Sequence, residues 1–276
     1  MAKEISKEIK ALILEKTKQT FVHITPRCND AIYLALLDAK NKGKTTCLIF
    51  SEGGWPYYET CAKELGFEVK IIENKKNSID LKTLEMSITK NTVLIHHTLS
   101  GYMVPMPVEE IFEITKKKNA LFINDCSGSI ANEHLLKGDY LVCSFGRWKP
   151  INYGKGGFIA HKKHLEVTIP EYDIEKWSEH ELQELYEKIT RLLTRTALLQ
   201  KICQEISVEL QNQGITLLKT PLPKEAIVII CEYETDAQKE IIVSLAKKQH
   251  IPFKPCPFMI RTNSKGISLE VKRLNI

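Results

Sequence analysis

The chain has 276 residues, with 39 Lys and Arg against 34 Asp and Glu, a formal net charge of +5. Hydrophobic residues make up 43% and charged residues 26%, enough apolar mass for a large core, so intrinsic disorder is excluded. The lysines are interleaved with acids, so no nucleic-acid-binding stripe is indicated, and no run approaches the ~18–20 apolar residues that span a bilayer.

The opening segment, MAKEISKEIKALILEKTKQ, reads as a short amphipathic helix. It lacks the apolar core and cleavage site of a signal peptide, so a cytoplasmic location is expected. A short apolar run at 21–24 is followed by the helical pattern DAIYLALLDAKNK (30–42). The run TCLIF (46–50) reads as a strand, residues 57–65 as a helix ended by Gly66, and FEVKII (67–72) as a strand. A helix over 78–88 leads to TVLIHH (92–97), a helix over 108–118 to ALFIN (120–124), and YLVCSF (140–145) and residues 157–160 close the series.

Strands alternating with helices of this length imply β-α-β units. The predicted fold is therefore α/β, a mostly parallel sheet covered by helices on both faces, with the site at the carboxyl ends of its strands. Beyond residue 165 the pattern changes to a charged helical stretch (175–213). A strand (215–218), a Pro-rich loop, the strand AIVIICEY, a helix (236–250), a Pro-rich connection (IPFKPCP) and a last strand GISLEV follow. Three parts are expected: a large domain over 1–170, a long connecting helix over 171–213, and a small C-terminal α+β domain over 214–276. The eight cysteines show no C-x-x-C spacing, so they are expected to be buried thiols, with neither disulfides nor a metal site.

Two stretches carry chemistry: FINDCSGS (122–129) and SFGRWKPINYGKGGFIA (144–160). Asp125 lies just past a buried strand, where a carboxylate needs a cationic or hydrogen-bonding partner. Lys149 is flanked by Trp148 and Pro150, and the glycines of Gly154-Lys155-Gly156-Gly157 permit close backbone approach to a ligand. A lysine near aromatics can lose its proton and become a Schiff-base nucleophile. Read singly, Asp125 fits a helix cap and Lys149 an ordinary hairpin lysine.

Together, an Asp 24 residues before the Lys of Ser-Phe-x-x-x-Lys-x4-Gly-x-Gly-Gly resembles the fold-type I pyridoxal-phosphate (PLP) enzymes, and more narrowly the DegT/DnrJ/StrS-type sugar aminotransferase family. The resemblance covers roughly residues 20–165. It implies a PLP-dependent transferase, an aminotransferase forming a Schiff base through Lys149 and acting on an amino acid or amino-sugar type substrate, with a small-molecule amine and a keto compound as its partners. By the same comparison Asp125 pairs with the pyridine nitrogen, and Ser144 donates to the cofactor phosphate. Arg27, Cys28 and Asn29, ahead of a helix, cradle that phosphate. Trp55 stacks on the ring, Ser127 lies in the cofactor site, and His97 or Thr98 faces the substrate side. Arg261 is the candidate for a substrate carboxylate, a role suited to a guanidinium. The resemblance also implies a homodimer.

The chain departs from the family pattern. Gly128 stands where the family usually has Gln, Gly146 where it has His, and Lys155 where it has an acid; the phosphate loop lacks the usual Gly-Thr/Ser. Lys155 is a rival Schiff-base candidate. Other PLP reactions of lyase, desulfurase or tRNA-linked synthase type, and a non-catalytic relative that kept the fold, are the alternatives. A nucleotide-binding domain without lysine chemistry would need a G-x-G-x-x-G or G-x4-G-K-S/T motif, and none is present.

Overall fold

The computed structural model describes residues 2–168, 174, 177–257 and 262–276. Its centre is a seven-stranded sheet made of β1 (Phe21–Thr25), β2 (Thr46–Phe50), β3 (Glu68–Ile72), β4 (Thr92–His97), β7 (Leu121–Asp125), β8 (Tyr140–Ser144) and β9 (Gly157–His161). The order is β1-β9-β8-β7-β4-β2-β3. Strands β3, β2, β4, β7 and β8 pair in parallel, and β9 runs antiparallel between β8 and β1. The sheet is mostly parallel, as the β-α alternation implies.

Burial on both faces explains why these strands are continuously apolar. In β2, Cys47 and Ile49 pack with Ile32, Leu36 and Tyr58 from α2 (Cys28–Asn41) and α3 (Tyr57–Glu64). Leu48 and Phe50 point the other way, to Leu84 of α4 (Leu81–Ser87) and Ile111 of α5 (Val108–Lys117). Ile9 and Ile13 of α1 (Ala2–Thr17) cover the same side near β8 and β9, beside Leu182 and Leu185 of α6 (Glu179–Thr190).

The stretch expected as one long helix is two. Helix α6 ends at Thr190 and α7 (Leu192–Asn212) starts after Arg191, whose ψ of −1° breaks the run. The buried face changes partner at this break. Leu182, Leu185 and Leu192 pack under the large sheet, whereas Leu199, Cys203, Ile206 and Leu210 pack against a second, antiparallel sheet. That sheet holds β10 (Thr216–Leu217), β11 (Ile229–Glu232), β12 (Phe253–Cys256) and β13 (Gly266–Leu269), in the order β10-β11-β13-β12, with α8 (Asp236–Lys248) alongside. Strand β12 lies where the sequence suggests only a Pro-rich connection; it is an edge strand, so Pro255 removes no interior ladder bond.

A small hairpin, β5 (Leu99–Ser100) and β6 (Val104–Pro105), follows β4. Leu99, Met103 and Val104 are buried in the core of the second sheet, and Ile227 N–H donates to the Tyr102 carbonyl at 3.0 Å. The hairpin thus ties the two sheets together at the edge where β4, β7 and β8 end. All eight cysteines are free thiols, and no helix among the described residues is long and apolar enough to cross a membrane.

Candidate active site

Parallel strands bring their carboxyl ends to one edge. Register pairs His97 of β4 with Asp125 of β7, and Ser144 of β8 with Gly157 of β9. Above this edge lies a cavity of about 600 Å³. Arg27, Cys28, Asn29, Trp55, His97, Asp125, Ser127, Ser144 and Lys149 all line it. Residues up to 122 positions apart thus meet at one place, as the chain order of the strands dictates.

Asp125 is 4% exposed. Tyr58 donates to its Oδ2 at 2.5 Å, and the Ser127 N–H donates to its Oδ1 at 2.9 Å. Each carboxylate oxygen retains a further lone pair, and Asp125 lines the cavity. Beside it the His97 ring is held neutral: burial pushes its pKa down to about 4, against the pull of Asp125. The Lys149 Nζ donates to the Tyr102 phenol oxygen. Burial opposes charge on Lys149, but Tyr102 and then Asp125 outweigh it, and its pKa lies above the usual lysine value.

At the other end, Ser127 Oγ accepts from the Ser144 N–H at 2.9 Å, and Ser144 Oγ accepts from the Gly146 N–H at 3.0 Å, which leaves the Ser144 hydroxyl proton free to donate. Helix α2 opens here with Cys28 and Asn29, whose N–H groups have no intrahelical acceptor. Gly157 makes this approach possible: a Cβ there would lie 2.6 Å from the Cys143 carbonyl and 2.9 Å from Cys28 N. Trp55, 38% exposed at the rim, is fixed by a 3.1 Å hydrogen bond from its Nε1 to Asn29 Oδ1. The Cys28 thiol, pushed up by burial, is no thiolate.

Three candidates stand apart from this group. Thr98 is not at the cavity: it is 0% exposed and donates to Asn124 Oδ1 at 2.7 Å, because the residue after the strand end turns back into the core. Lys155 lines the cavity but donates to Glu181 and lies 4.7 Å over the Trp177 ring. Arg261 lies outside the described residues.

The structure adds residues that the sequence pattern does not single out. Tyr58 is 1% exposed and holds Asp125. Its signal is the helical spacing of Tyr58, Cys61 and Ala62, one buried face of α3. Tyr102 reaches the cavity from the β5–β6 hairpin, and Glu270, Lys272 and Arg273 reach it from the segment after β13. Glu270 accepts from Ser268, Lys272 and Arg273 at 2.7, 2.5 and 2.9 Å. Lys272 lies 4.5 Å over the Tyr102 ring, and Arg273 4.2 Å over that of Trp148. Among the described residues, six basic side chains (Arg27, Arg147, Lys149, Lys155, Lys272, Arg273) line the cavity against two acids, Asp125 and Glu270. Such a surplus favours an anionic occupant.

A buried acid and an amine at the carboxyl edge of an α/β sheet, with a helix N-terminus beside them, define a ligand-binding α/β fold of a known kind. Crystal structures with this fold include DndA from Streptomyces lividans (TM-score 0.75, 11% identity, covering 97% of this chain and 87% of that one). A cysteine desulfurase from Thermococcus onnurineus NA1 is similar at TM-score 0.73 and 16% identity, over 97% of this chain and 78% of that one. A DegT DnrJ EryC1 StrS aminotransferase from Brucella abortus is similar at TM-score 0.70 and 14% identity, over 96% and 84%. The chain belongs to the DegT/DnrJ/EryC1/StrS aminotransferase family, whose model matches residues 6–169. The aspartate aminotransferase of Sulfurisphaera tokodaii is 31% identical over 121 residues; the match takes in 40% of this chain and spans 30% of that relative's length.

Proposed function

We propose that this protein is a PLP-dependent aminotransferase in which Lys149 is the amine that reacts with the cofactor aldehyde. The observation that carries the reading is the single cavity that holds a buried acid, a lysine amine and a helix N-terminus together. Its residues fit the group. Asp125 has lone pairs for a protonated ring nitrogen, and its own donors, Tyr58 and Ser127, keep it oriented. Ser144, Arg27 and the first N–H groups of α2 suit a phosphate dianion. Trp55 at the rim suits the face of a planar ring. When bound, PLP supplies an electron sink for charge developing beside a substrate amine.

The chain's own residues do the rest. Asp125 keeps the ring nitrogen's proton in place, which preserves that sink. Lys149 Nζ, once free, moves a proton to and from the substrate carbon as general base and acid. Neutral His97 closes the inner wall without adding a competing cation. The cationic lining attracts a substrate with an anionic group.

Fold does not fix the reaction, and the structural relatives include a cysteine desulfurase. The reading is tested by titrating the purified protein with PLP, followed by a screen of amine donors. A visible absorbance band that is lost in Lys149→Ala, and keto product formed from a donor, are expected. A protein that takes up no PLP, or one that releases sulfide or ammonia without transferring the amine, refutes it. Two copies are proposed as the working unit, and light scattering that gives a monomer at working concentration counts against that.

A further inference from the structure

Gly128 has an ordinary backbone conformation, so the glycine is not required by its φ. It is required by space. A Cβ there would lie 2.7 Å from Cδ1 of Tyr102 and 2.9 Å from Cε1 of His97. The two rings, with centroids 4.6 Å apart, fill the volume that a longer side chain at 128 would need. Tyr102 itself holds a left-handed backbone conformation, φ 62°, uncommon for a residue other than glycine. Three bonds hold it: its N–H donates to the Leu99 carbonyl at 2.7 Å, its carbonyl accepts from Ile227, and its phenol oxygen accepts from Lys149 Nζ. The Lys149 loop is held from behind by Arg195 of α7. One guanidinium nitrogen donates to the Lys149 and Pro150 carbonyls at 3.4 Å, and the other to those of Lys272 and Leu274 at 3.2 Å. Loop and hairpin are thus both anchored to the C-terminal sheet, and the contact between amine and phenol joins two fixed segments.

We infer that Tyr102 is the positioning residue of the Lys149 amine: its phenol oxygen sets where Nζ sits, and Gly128 is the residue that makes room for it. An acceptor against the ammonium also favours its charged form. This deepens the reading of Lys149 as the reactive amine. Tyr102→Phe removes the oxygen and keeps the ring on which Lys272 rests. Gly128→Ala keeps the oxygen and displaces the ring.

The test reads Lys149 directly in the cofactor-free protein. Brief acetic anhydride pulses across a pH series, resolved by peptide mass spectrometry, give the pH midpoint at which Lys149 becomes a free amine. In Tyr102→Phe the midpoint is expected to fall by about one unit or more, a roughly tenfold gain in labelling at a fixed pH below it. Gly128→Ala is expected to shift it in the same direction, while exposed Lys70 and Lys117 stay unchanged in both variants. An unchanged Lys149 midpoint in Tyr102→Phe overturns the inference, and this variant decides the matter even where Gly128→Ala does not fold. In the PLP-loaded protein the pH dependence of the cofactor absorbance should move with it. A shift in a protein that binds no PLP refutes the cofactor reading and leaves the role of Tyr102 standing. PLP binding without a shift does the reverse.

Discussion

Tyr58→Phe isolates the bond that holds the buried acid. The tyrosine ring packs in the core between α3 and the sheet, and Phe keeps that volume. What is lost is one O–H donor, 2.5 Å from Asp125 Oδ2, at a site where the phenol is 1% and the carboxylate 4% exposed. Water has little access to replace it. A hydrogen bond to a charged group contributes about 1.5–3 kcal/mol, and a buried partner left unmatched places the loss toward the upper end of that range. At about 2–4 °C per kcal/mol for a chain of this size class, the melting temperature should fall by roughly 3–12 °C. Urea unfolding at neutral pH of wild type, Tyr58→Phe, Asp125→Ala and the double variant gives the coupling between the two groups, free of the separate cost of each substitution. A coupling of about 1.5 kcal/mol or more is expected. A value below about 0.5 kcal/mol, the scatter of independent sites, would show that Tyr58 does not hold Asp125, and that the acid's orientation must come from the Ser127 N–H alone.

Thr98→Val removes a hydroxyl bonded to Asn124 and Ser129. It should lower stability by about 1–3 kcal/mol yet leave KM for both substrates within about twofold, so a large KM change would return Thr98 to the substrate side. Gly157→Ala forces a Cβ between two backbone segments; a loss of about 1–3 kcal/mol and weaker PLP binding by fluorescence titration are expected, and unchanged affinity would mean that the α2 terminus does not receive the phosphate. Lys272 is pushed down from 10.5 to about 8 by burial, with Glu270 opposing. Between those two values the unfolded chain binds the additional proton, so stability rises with pH across that window, by roughly 3 kcal/mol at most. Lys272→Met should flatten the rise, and urea midpoints that climb equally in both proteins would refute the assignment.

What the sequence made legible follows from how the site is built. A parallel sheet puts every strand's carboxyl end on one edge, so residues that close apolar runs, such as His97, Asp125 and Ser144, must lie near each other whatever the strand order. Lys149 follows β8 by five residues and cannot travel far. Thr98 obeys the same proximity and still misses the cavity, because one step beyond His97 the chain turns inward to enter the β5–β6 hairpin. Position along the chain predicts the edge of the sheet, and the direction of a single side chain depends on the turn that follows. The residues that escaped are those supplied by packing between distant elements. Tyr102 enters because its hairpin is apolar on the face that meets Ile227 and Ile230, and Lys272 enters because the last strand pairs with β11 beneath that hairpin. Neither fact has a local signature. Gly128 comes nearest to one, since it stands where the family usually has Gln. The sequence marks only the missing side chain, and the fold names Tyr102 and His97 as the rings that take its room.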